Sequence, residues 1–557
     1  MNYKQTYKFW LKHKKIKPEI KAQLKAMSKQ DIKEAFYTDL TFGTGGLRGL
    51  MGPGSNRINL YTMRRATEGF ARYLEKTYDN NAVAIAHDNR IDSAEFAYEA
   101  AMVLAAHGIK TYLYRELRPT PMLSYAVRTF ECTGGIMITA SHNPKQYNGF
   151  KAYDLTGAQL NLEDANQVIA EINAIDDPIG IETVENDYIT WIDELFDDKY
   201  ISEVEKIQIN ETSKEAKIVF SPLHGTGGTI IPRLLIERGY QVFPYEPQMI
   251  ADPQFKNTKS SNPEEALSYE MSMLYAKEID ADVIMVTDPD ADRLGIAVKH
   301  EGDYHLLTGN QTAAIELYYI LTQRKKLKTL PKDGFIFSTI VTSKLIKDIT
   351  EDFGLTYVET LTGFKFIGQK AEELKKTGGT YVFGCEESYG SLIADFVRDK
   401  DAVQAVYLLA EIASFLKDQN QTLMDYLNEI YEKYGVYLEH TDTYLLEGIS
   451  GVEKINQFMA YFRTQSDTFA FDIQAKNDYL TQQRHLSGNI TPLDLPQSDV
   501  VIYELKDGDW ICFRPSGTEP KLKIYYGLKA KTLSDAKKKL TTYQAHIGAV
   551  IDQEEDL

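Results

Sequence analysis

Short apolar runs recur along the first three-quarters of the chain, each followed by a polar or glycine-rich loop and then by helical periodicity. Ala82-Val-Ala-Ile-Ala runs into His87-Asp-Asn-Arg, and Gly135-Ile-Met-Ile-Thr runs into the last five residues of TASHNP (139–144). Lys217-Ile-Val-Phe leads to SPLHGTGG (221–228), Val283-Ile-Met-Val to TDPDADR (287–293), and Thr380-Tyr-Val-Phe to GCEESYG (384–390). Such runs, bounded by turn formers, read as buried strands. Strands alternating with helices predict parallel α/β units. The last stretch changes character. Val500-Val-Ile-Tyr, Trp510-Ile-Cys-Phe and Leu522-Lys-Ile-Tyr lie close together, with a helical Lys/Leu pattern after Ser534. That predicts an antiparallel sheet with a covering helix. The expected architecture is α/β: three similar α/β domains with mixed sheets (1–190, 191–305 and 306–435) and a C-terminal α+β domain (436–557).

Composition narrows the function. A chain of 557 residues holds three or four domains at roughly 150 residues each. Its 43% hydrophobic and 25% charged content is that of a soluble globular protein. No apolar run approaches the ~20 residues that cross a bilayer, and the N-terminus lacks the apolar centre of a signal peptide. The formal charge of −18 argues against a nucleic-acid partner, because phosphate backbones select basic surfaces. An anionic substrate must then be captured by locally concentrated Arg, Lys and backbone N–H groups. Ten lysines between Lys4 and Lys33 read as a solvated helix face or a partner-binding arm. Cys132, Cys385 and Cys512 are the only cysteines. They offer neither a zinc spacing nor a disulfide framework, and they fit a reducing cytoplasm.

The loops carry the chemistry. Asp288, Asp290 and Asp292 follow a buried strand at alternate positions, which in an extended segment share one face. Three converging carboxylates call for a cation, and oxygen-only ligands choose Mg²⁺ or Ca²⁺. A calcium EF-hand loop is excluded, because Arg293 stands where its glycine belongs and Lys299 where its glutamate belongs. A solvated turn is the plain alternative. Arg293 beside a cation favours phosphate chemistry.

RPSGTEPKLKIYY (514–526) supplies forked donors at Arg514 and hydroxyls at Ser516 and Thr518. Gly517 would let backbone N–H groups approach an anion. GCEESYG brings Glu386 and Ser388 to a strand end, as a sugar-hydroxyl grip or as a helix cap. Arg48 of GGLRG (45–49), with Arg398 and Lys400 of RDKD (398–401), sits in loop-like settings where surface salt bridges are the plain reading. Ser141 stands where a strand gives way to a loop, the usual ligand address in open α/β sheets and equally a turn-capping position. Neither a P-loop nor a dinucleotide fingerprint is present.

Together these loops resemble those of the α-D-phosphohexomutase family, most closely its phosphoglucomutase members. TASHNP resembles the phosphoserine loop, DPDADR the magnesium loop, GCEESYG the sugar loop and RPSGTEP the phosphate loop, in the family's order from near Thr41 to the C-terminus. The resemblance implies a heart-shaped, four-domain molecule with one loop per domain facing a central cleft. It implies a cytoplasmic mutase that interconverts glucose 1-phosphate and glucose 6-phosphate. The route is a phosphoserine enzyme with glucose 1,6-bisphosphate as intermediate and primer. Mannose, pentose and amino-sugar phosphates are alternatives within the family, and a sugar-phosphate phosphatase is a distant one.

By the same resemblance Ser141 carries the phosphoryl group, and Mg²⁺ is held by its phosphate with Asp288, Asp290 and Asp292. His142 and Lys151 stand close by, and Arg48 and Arg293 stabilise the transferring group. Lys400 is the candidate general base, provided that neighbouring cations lower its pKa. Thr362, Gly363, Lys365, Glu386 and Ser388 grip the sugar; Arg514, Ser516, Gly517 and Thr518 hold the non-reacting phosphate. Cys385 stands where many members have glycine.

Overall fold

The computed structural model describes residues 2–43, 45–446, 448–464, 471–516 and 521–555. Four β-sheets follow one another along them. The first orders its strands Gly46–Leu50, Tyr147–Asp154, Gly134–Ile138, Ala82–His87, Lys110–Tyr114 and Ile189–Ile192. Its first three strands are antiparallel neighbours and the last four run parallel. The second sheet runs Asp303–Leu307, Leu294–His300, Val283–Thr287, Lys217–Ser221, Gln241–Pro244. The third runs Thr356–Thr360, Gly334–Thr339, Thr380–Glu386, Gly390–Leu392. All three are mixed, with helices packed on them, as expected from the sequence.

One expectation needs correction. After Gly134–Ile138, Val283–Thr287 and Thr380–Glu386 the chain does not enter a helix. It doubles back into an antiparallel neighbour: Tyr147–Asp154, Leu294–His300 and Gly390–Leu392 respectively. The reversal has a backbone cause. Each connection contains one non-glycine residue in the left-handed region: Ser141 (φ 52°), Ala291 (φ 51°) and Tyr389 (φ 65°). Such a residue bends the chain sharply at a cost of about 1–2 kcal/mol. The chemistry-bearing loops of the first three domains are thus the same element, the turn of an antiparallel hairpin set on a parallel sheet.

The fourth sheet is antiparallel throughout, in the order Val436–Leu445, Lys521–Ala530, Trp510–Pro515, Val501–Leu505, Ile473–Asp478, Gln483–Leu486, Asn489–Pro492. Both faces of its central strands are buried, and strand periodicity sorts them. Val501, Tyr503, Ile511, Phe513, Ile524 and Tyr526 pack under helices Gly448–Thr464 and Leu533–Glu555. Ile502, Trp510, Cys512 and Tyr525 point the other way, against Ile340, Val341 and Leu361 of the third domain. The first three domains share one continuous apolar core that runs from Met122 and Phe196 through Phe220 and Leu234 to Leu317 and Leu408.

The lysine-rich N-terminus folds as three short helices, Tyr3–Lys12, Pro18–Ala26 and Lys29–Phe36. Trp10, Leu24 and Phe36 dock against Tyr61 and Ile179 of the first domain, while every lysine but the partly covered Lys21 is exposed. The three cysteines are buried and unpaired. Among the described residues no helix is long and apolar enough to cross a membrane.

Candidate active site

Ser141 is the first residue to place. Its hydroxyl lies 2.8 Å from Asp288 Oδ2 and 3.2 Å from His142 Nδ1. Burial, reinforced by the charges of Arg293 and Arg48, holds His142 well below the usual imidazole range, so it is neutral. The side chain that follows strand Gly134–Ile138 in the first domain therefore meets the one that follows Val283–Thr287 in the second.

Asp288, Asp290 and Asp292 converge, with carboxylate oxygens within 4.8 Å of one another, and all three are buried. The route to convergence differs from the sequence reading. The segment is a turn through Pro289 and the left-handed Ala291, not an extended strand. Asp288 Oδ1 closes it by accepting from the backbone N–H groups of Asp292 and Arg293, each at 3.1 Å. Gly225 of the SPLHGTGG loop backs the turn so closely that a Cβ there would lie 2.3 Å from the Pro289 Cα, which excludes any other residue.

The electrostatics of the cluster are those of a cation site. Burial and then the neighbouring Asp290 and Asp292 push Asp288 well above the carboxylate range. Burial acts the same way on Asp290 and Asp292, but Lys151 outweighs it at Asp290, and Lys400 with Lys151 and Arg293 at Asp292, so both are held low. Lys151 Nζ reaches Asp290 at 2.7 Å and Asp292 at 3.3 Å. Two buried oxygens, Asp290 Oδ1 and Asp292 Oδ1, have no hydrogen-bond partner. Buried carboxylate oxygens are rarely left so. Orphaned hard donors beside Ser141 fit a hard divalent cation.

Around this centre stand the expected cations. Arg48, exposed on strand Gly46–Leu50, donates to Asn143 Oδ1 at 2.9 Å. Arg293 pairs with Glu264 at 2.6 Å. Lys400 Nζ lies 3.1 Å from both Asp292 and Asp399. The condition set for Lys400 as a base is not met. Burial pulls its ammonium down, but Asp292, Asp399 and Glu386 outweigh that and raise its pKa. In this arrangement Lys400 is the protonated charge partner of Asp292 and Asp399. Arg398 is buried and paired with Glu372 at 2.9 Å, a structural role.

The third domain contributes Glu386, whose carboxyl burial pushes up to about 7 against the pull of Lys400. Its Oε1 accepts from the Gly363 N–H at 2.9 Å, so the sugar loop and the LTGFKF segment (361–366) touch directly. Gly363 has φ 119° at the start of helix Phe364–Thr377. The Thr362 hydroxyl is buried without a partner. Burial lowers Lys365 to about 8, and Ser388 sits half-buried in the hairpin turn. On the fourth domain, Arg514 Nη1 meets the Tyr525 hydroxyl at 3.3 Å and the Ser516 N–H donates to Lys521 O at 2.7 Å. Gly517 and Thr518 lie outside the described residues.

Three residues of this site escaped sequence reasoning. Thr120 opens helix Thr120–Thr129 and grips the metal loop twice. Its N–H donates to Asp290 O at 2.9 Å and its hydroxyl to Asp290 Oδ2 at 3.0 Å. Arg90, which ends the segment His87-Asp-Asn-Arg, donates to Ser141 O at 2.6 Å. Lys523 stands directly across from Arg514 in the sheet register. Burial lowers its ammonium, within the fields of Glu264, Arg514, Glu387 and Arg293. Among the described residues it has no ion-pair partner. A signal for Lys523 was present: a lysine inside KLKIYY, in phase with Tyr525 rather than with the helix-covered Leu522 and Ile524.

Models of the phosphoglucomutase/phosphomannomutase α/β/α domains I, II and III match residues 39–178, 198–302 and 308–434. A phosphoglucomutase of Staphylococcus aureus (strain MRSA252) is 38% identical over 518 residues, covering 91% of this chain and 93% of its own. The phosphoglucomutase of Staphylococcus haemolyticus (strain JCSC1435) is 36% identical over 522 residues, 92% of this chain and 94% of that one. The crystal structure of the Paramecium phosphoprotein pp63/parafusin in its open form superposes with a TM-score of 0.68 at 18% identity, covering 93% and 96% of the two chains. With three domain models matched in order and full-length relatives above 35% identity, the chain belongs to the phosphoglucomutase/phosphomannomutase family.

Proposed function

We propose that the protein is a phosphoglucomutase, interconverting glucose 1-phosphate and glucose 6-phosphate through a phosphorylated Ser141 and glucose 1,6-bisphosphate. One observation carries the reading: the Ser141 hydroxyl faces Asp288 at 2.8 Å, in a cluster with two buried carboxylate oxygens that accept no hydrogen bond. The names of its relatives support glucose as the sugar.

Phosphate cannot pass directly between O1 and O6, which lie at opposite ends of the sugar. In this mechanism Ser141 gives its phosphoryl to the free hydroxyl of the bound monophosphate. The Ser141 O–P bond breaks, the sugar O–P bond forms, and the hydroxyl proton passes to the Glu386 carboxylate, held at about 7 beside the protonated Lys400. The bisphosphate then turns over, and its other phosphoryl returns to Ser141. Arg48 and Arg293 spread the charge of the transferring group. Glu386, Ser388, Thr362, Gly363 and Lys365 hold the sugar. Arg514, Ser516, Gly517, Thr518 and Lys523 hold the phosphate that stays. Asp288, Asp290 and Asp292 would hold Mg²⁺, which when bound supplies charge neutralisation to the phosphoryl oxygens.

The enzyme would act in the cytoplasm on small sugar phosphates, with neither nucleic acid nor membrane as partner. A coupled assay across glucose, mannose, ribose and glucosamine phosphates, primed with the matching bisphosphate, tests the reading. Turnover of glucose phosphates at least tenfold more efficient than the others supports it. A preference for another sugar moves the chain elsewhere in the family, and release of inorganic phosphate without a mutase product replaces the mutase with a phosphatase.

A further inference from the structure

Against the backbone of the Ser141 loop lies a charged side chain that no role above uses. Arg90 belongs to the loop that follows strand Ala82–His87, the parallel neighbour of the strand leading to Ser141. Its guanidinium is buried. Nη2 donates to the carbonyl oxygens of Ser141, at 2.6 Å, and of Asn143. Nη1 donates to those of Pro144 and Tyr147, at 2.9 and 3.0 Å. Four carbonyls of one loop thus converge on one planar fork. Lysine, with a single nitrogen, cannot span them.

The clamp is itself held. The Asp88 carboxylate lies 3.2 Å from Arg90 Nε and accepts from the Arg90 N–H at 2.9 Å and from Ser93 Oγ at 2.7 Å. Phe255 of the second domain lies across the guanidinium, 5.3 Å from its ring centre. From the same segment Ser261 Oγ donates to His142 O at 3.0 Å. The hydrogen bonds of the Arg90 guanidinium go to the backbone of this loop, although its charge is felt at Asp290 and Asp288, so its task is to hold the loop.

Two features of Ser141 call for such a clamp. Its left-handed backbone is unfavourable for a side-chain-bearing residue and persists only where the surroundings over-determine it. The loop also needs its carbonyl dipoles turned from the hydroxyl, because carbonyl oxygens beside a phosphoryl group would repel it. Arg90 draws four negative dipole ends backwards, and Asp88 offsets its charge.

We infer that Arg90 is a positioning residue for the phosphoryl-carrying serine, with Asp88 as its anchor and Ser261 as a brace supplied across the domain seam. The inference rests on Ser141 as phosphoryl carrier, and the test separates the two. Wild-type protein, Arg90→Lys and Ser261→Ala are incubated with glucose 1,6-bisphosphate, and phosphorylation of Ser141 is followed by intact mass and peptide mapping. Failure of the wild type to accept phosphate at Ser141 removes the function reading. If the wild type is phosphorylated, Arg90→Lys should be phosphorylated about a hundredfold more slowly, with glucose 6-phosphate affinity by calorimetry within threefold of wild type. Ser261→Ala, which removes only a hydroxyl, should fold and show a smaller loss in the same rate, again without a loss of affinity. It decides the matter should Arg90→Lys fail to fold. Wild-type phosphorylation rates in the folded variants, or a loss of affinity as large as the loss of rate, would overturn the inference.

Discussion

Arg514 and Lys523 stand opposite one another on neighbouring antiparallel strands, two cations on one face of the sheet. Like charges directly opposite are destabilising, so the pair makes sense as a site completed by a shared anion. Lys523→Met should leave the thermal stability of the free protein unchanged or slightly raised. The same variant should weaken both glucose 1-phosphate and glucose 6-phosphate by roughly ten- to 150-fold, the equivalent of about 1.5–3 kcal/mol for a charge-assisted contact. Calorimetry in a Ser141→Ala background reads both affinities without turnover. A loss for one ester alone would mean that the loop serves a single orientation, and reorientation of the bisphosphate would have to be abandoned.

Ser141→Ala should lack any phosphoryl group after incubation with glucose 1,6-bisphosphate and should be nearly inactive, while still binding glucose 6-phosphate. Intact mass and calorimetry check the two halves. Mutase activity persisting in this variant would show that the phosphoryl travels by another route.

Asp290→Asn keeps the size of the side chain, and Thr120 and Lys151 keep its Oδ2 position occupied. The charge on the orphaned Oδ1 is what changes. Activity should fall at least a hundredfold, corresponding to about 3–4 kcal/mol of lost transition-state stabilisation, and the wild type should stop in excess chelator and recover with Mg²⁺. Full activity of the variant, or of the wild type in chelator, contradicts the metal assignment.

A pH effect is expected away from the site. His107 bridges Glu68 at 2.9 Å and Glu75 at 3.0 Å. Its hydrogen bond to Glu68, helped by Glu75 and opposed by burial, raises its pKa. The folded state therefore binds the proton more tightly than the unfolded one. The resulting stability is complete below the unfolded value of about 6.5 and is lost as pH rises through the folded value. His107→Gln should lower the opening free energy of helix Ser93–Ala106 by about 1 kcal/mol at pH 6 and by much less at pH 9. Native-state hydrogen exchange measures it; an equal cost at both pH values would show that packing, not charge, is what the substitution removes.

Local signals reached the strands and the loops because each lies within a few residues of its own cause. Val283–Thr287 is a saturated apolar run, and the three aspartates follow it at once. The turn that joins them was misread as extended, since the left-handed Ala291 has no glycine to announce it. Contacts between domains were beyond local reach. Nothing in RPTP marks Thr120 as a partner of Asp290, 170 residues away. The condition on Lys400 was out of local reach for the same reason: the acids that raise its pKa include Asp292 and Glu386 from elsewhere in the chain. Arg90 was on view in HDNR, but its meaning depends on carbonyl groups, which no side-chain code reveals.

The helix Ala402–Lys417 is buried almost end to end and packs on strands Val283–Thr287 and Leu294–His300 as well as on helices Leu195–Glu205 and Ile231–Glu237. Synthesis on the ribosome meets this arrangement in order. The second sheet is complete once Leu307 has emerged, yet the surface this helix covers stays bare for another hundred or so residues, about 5–20 seconds of translation. The nascent chain therefore carries an open apolar face through that interval. The middle of the polypeptide, rather than either end, is where a chaperone would find its binding site.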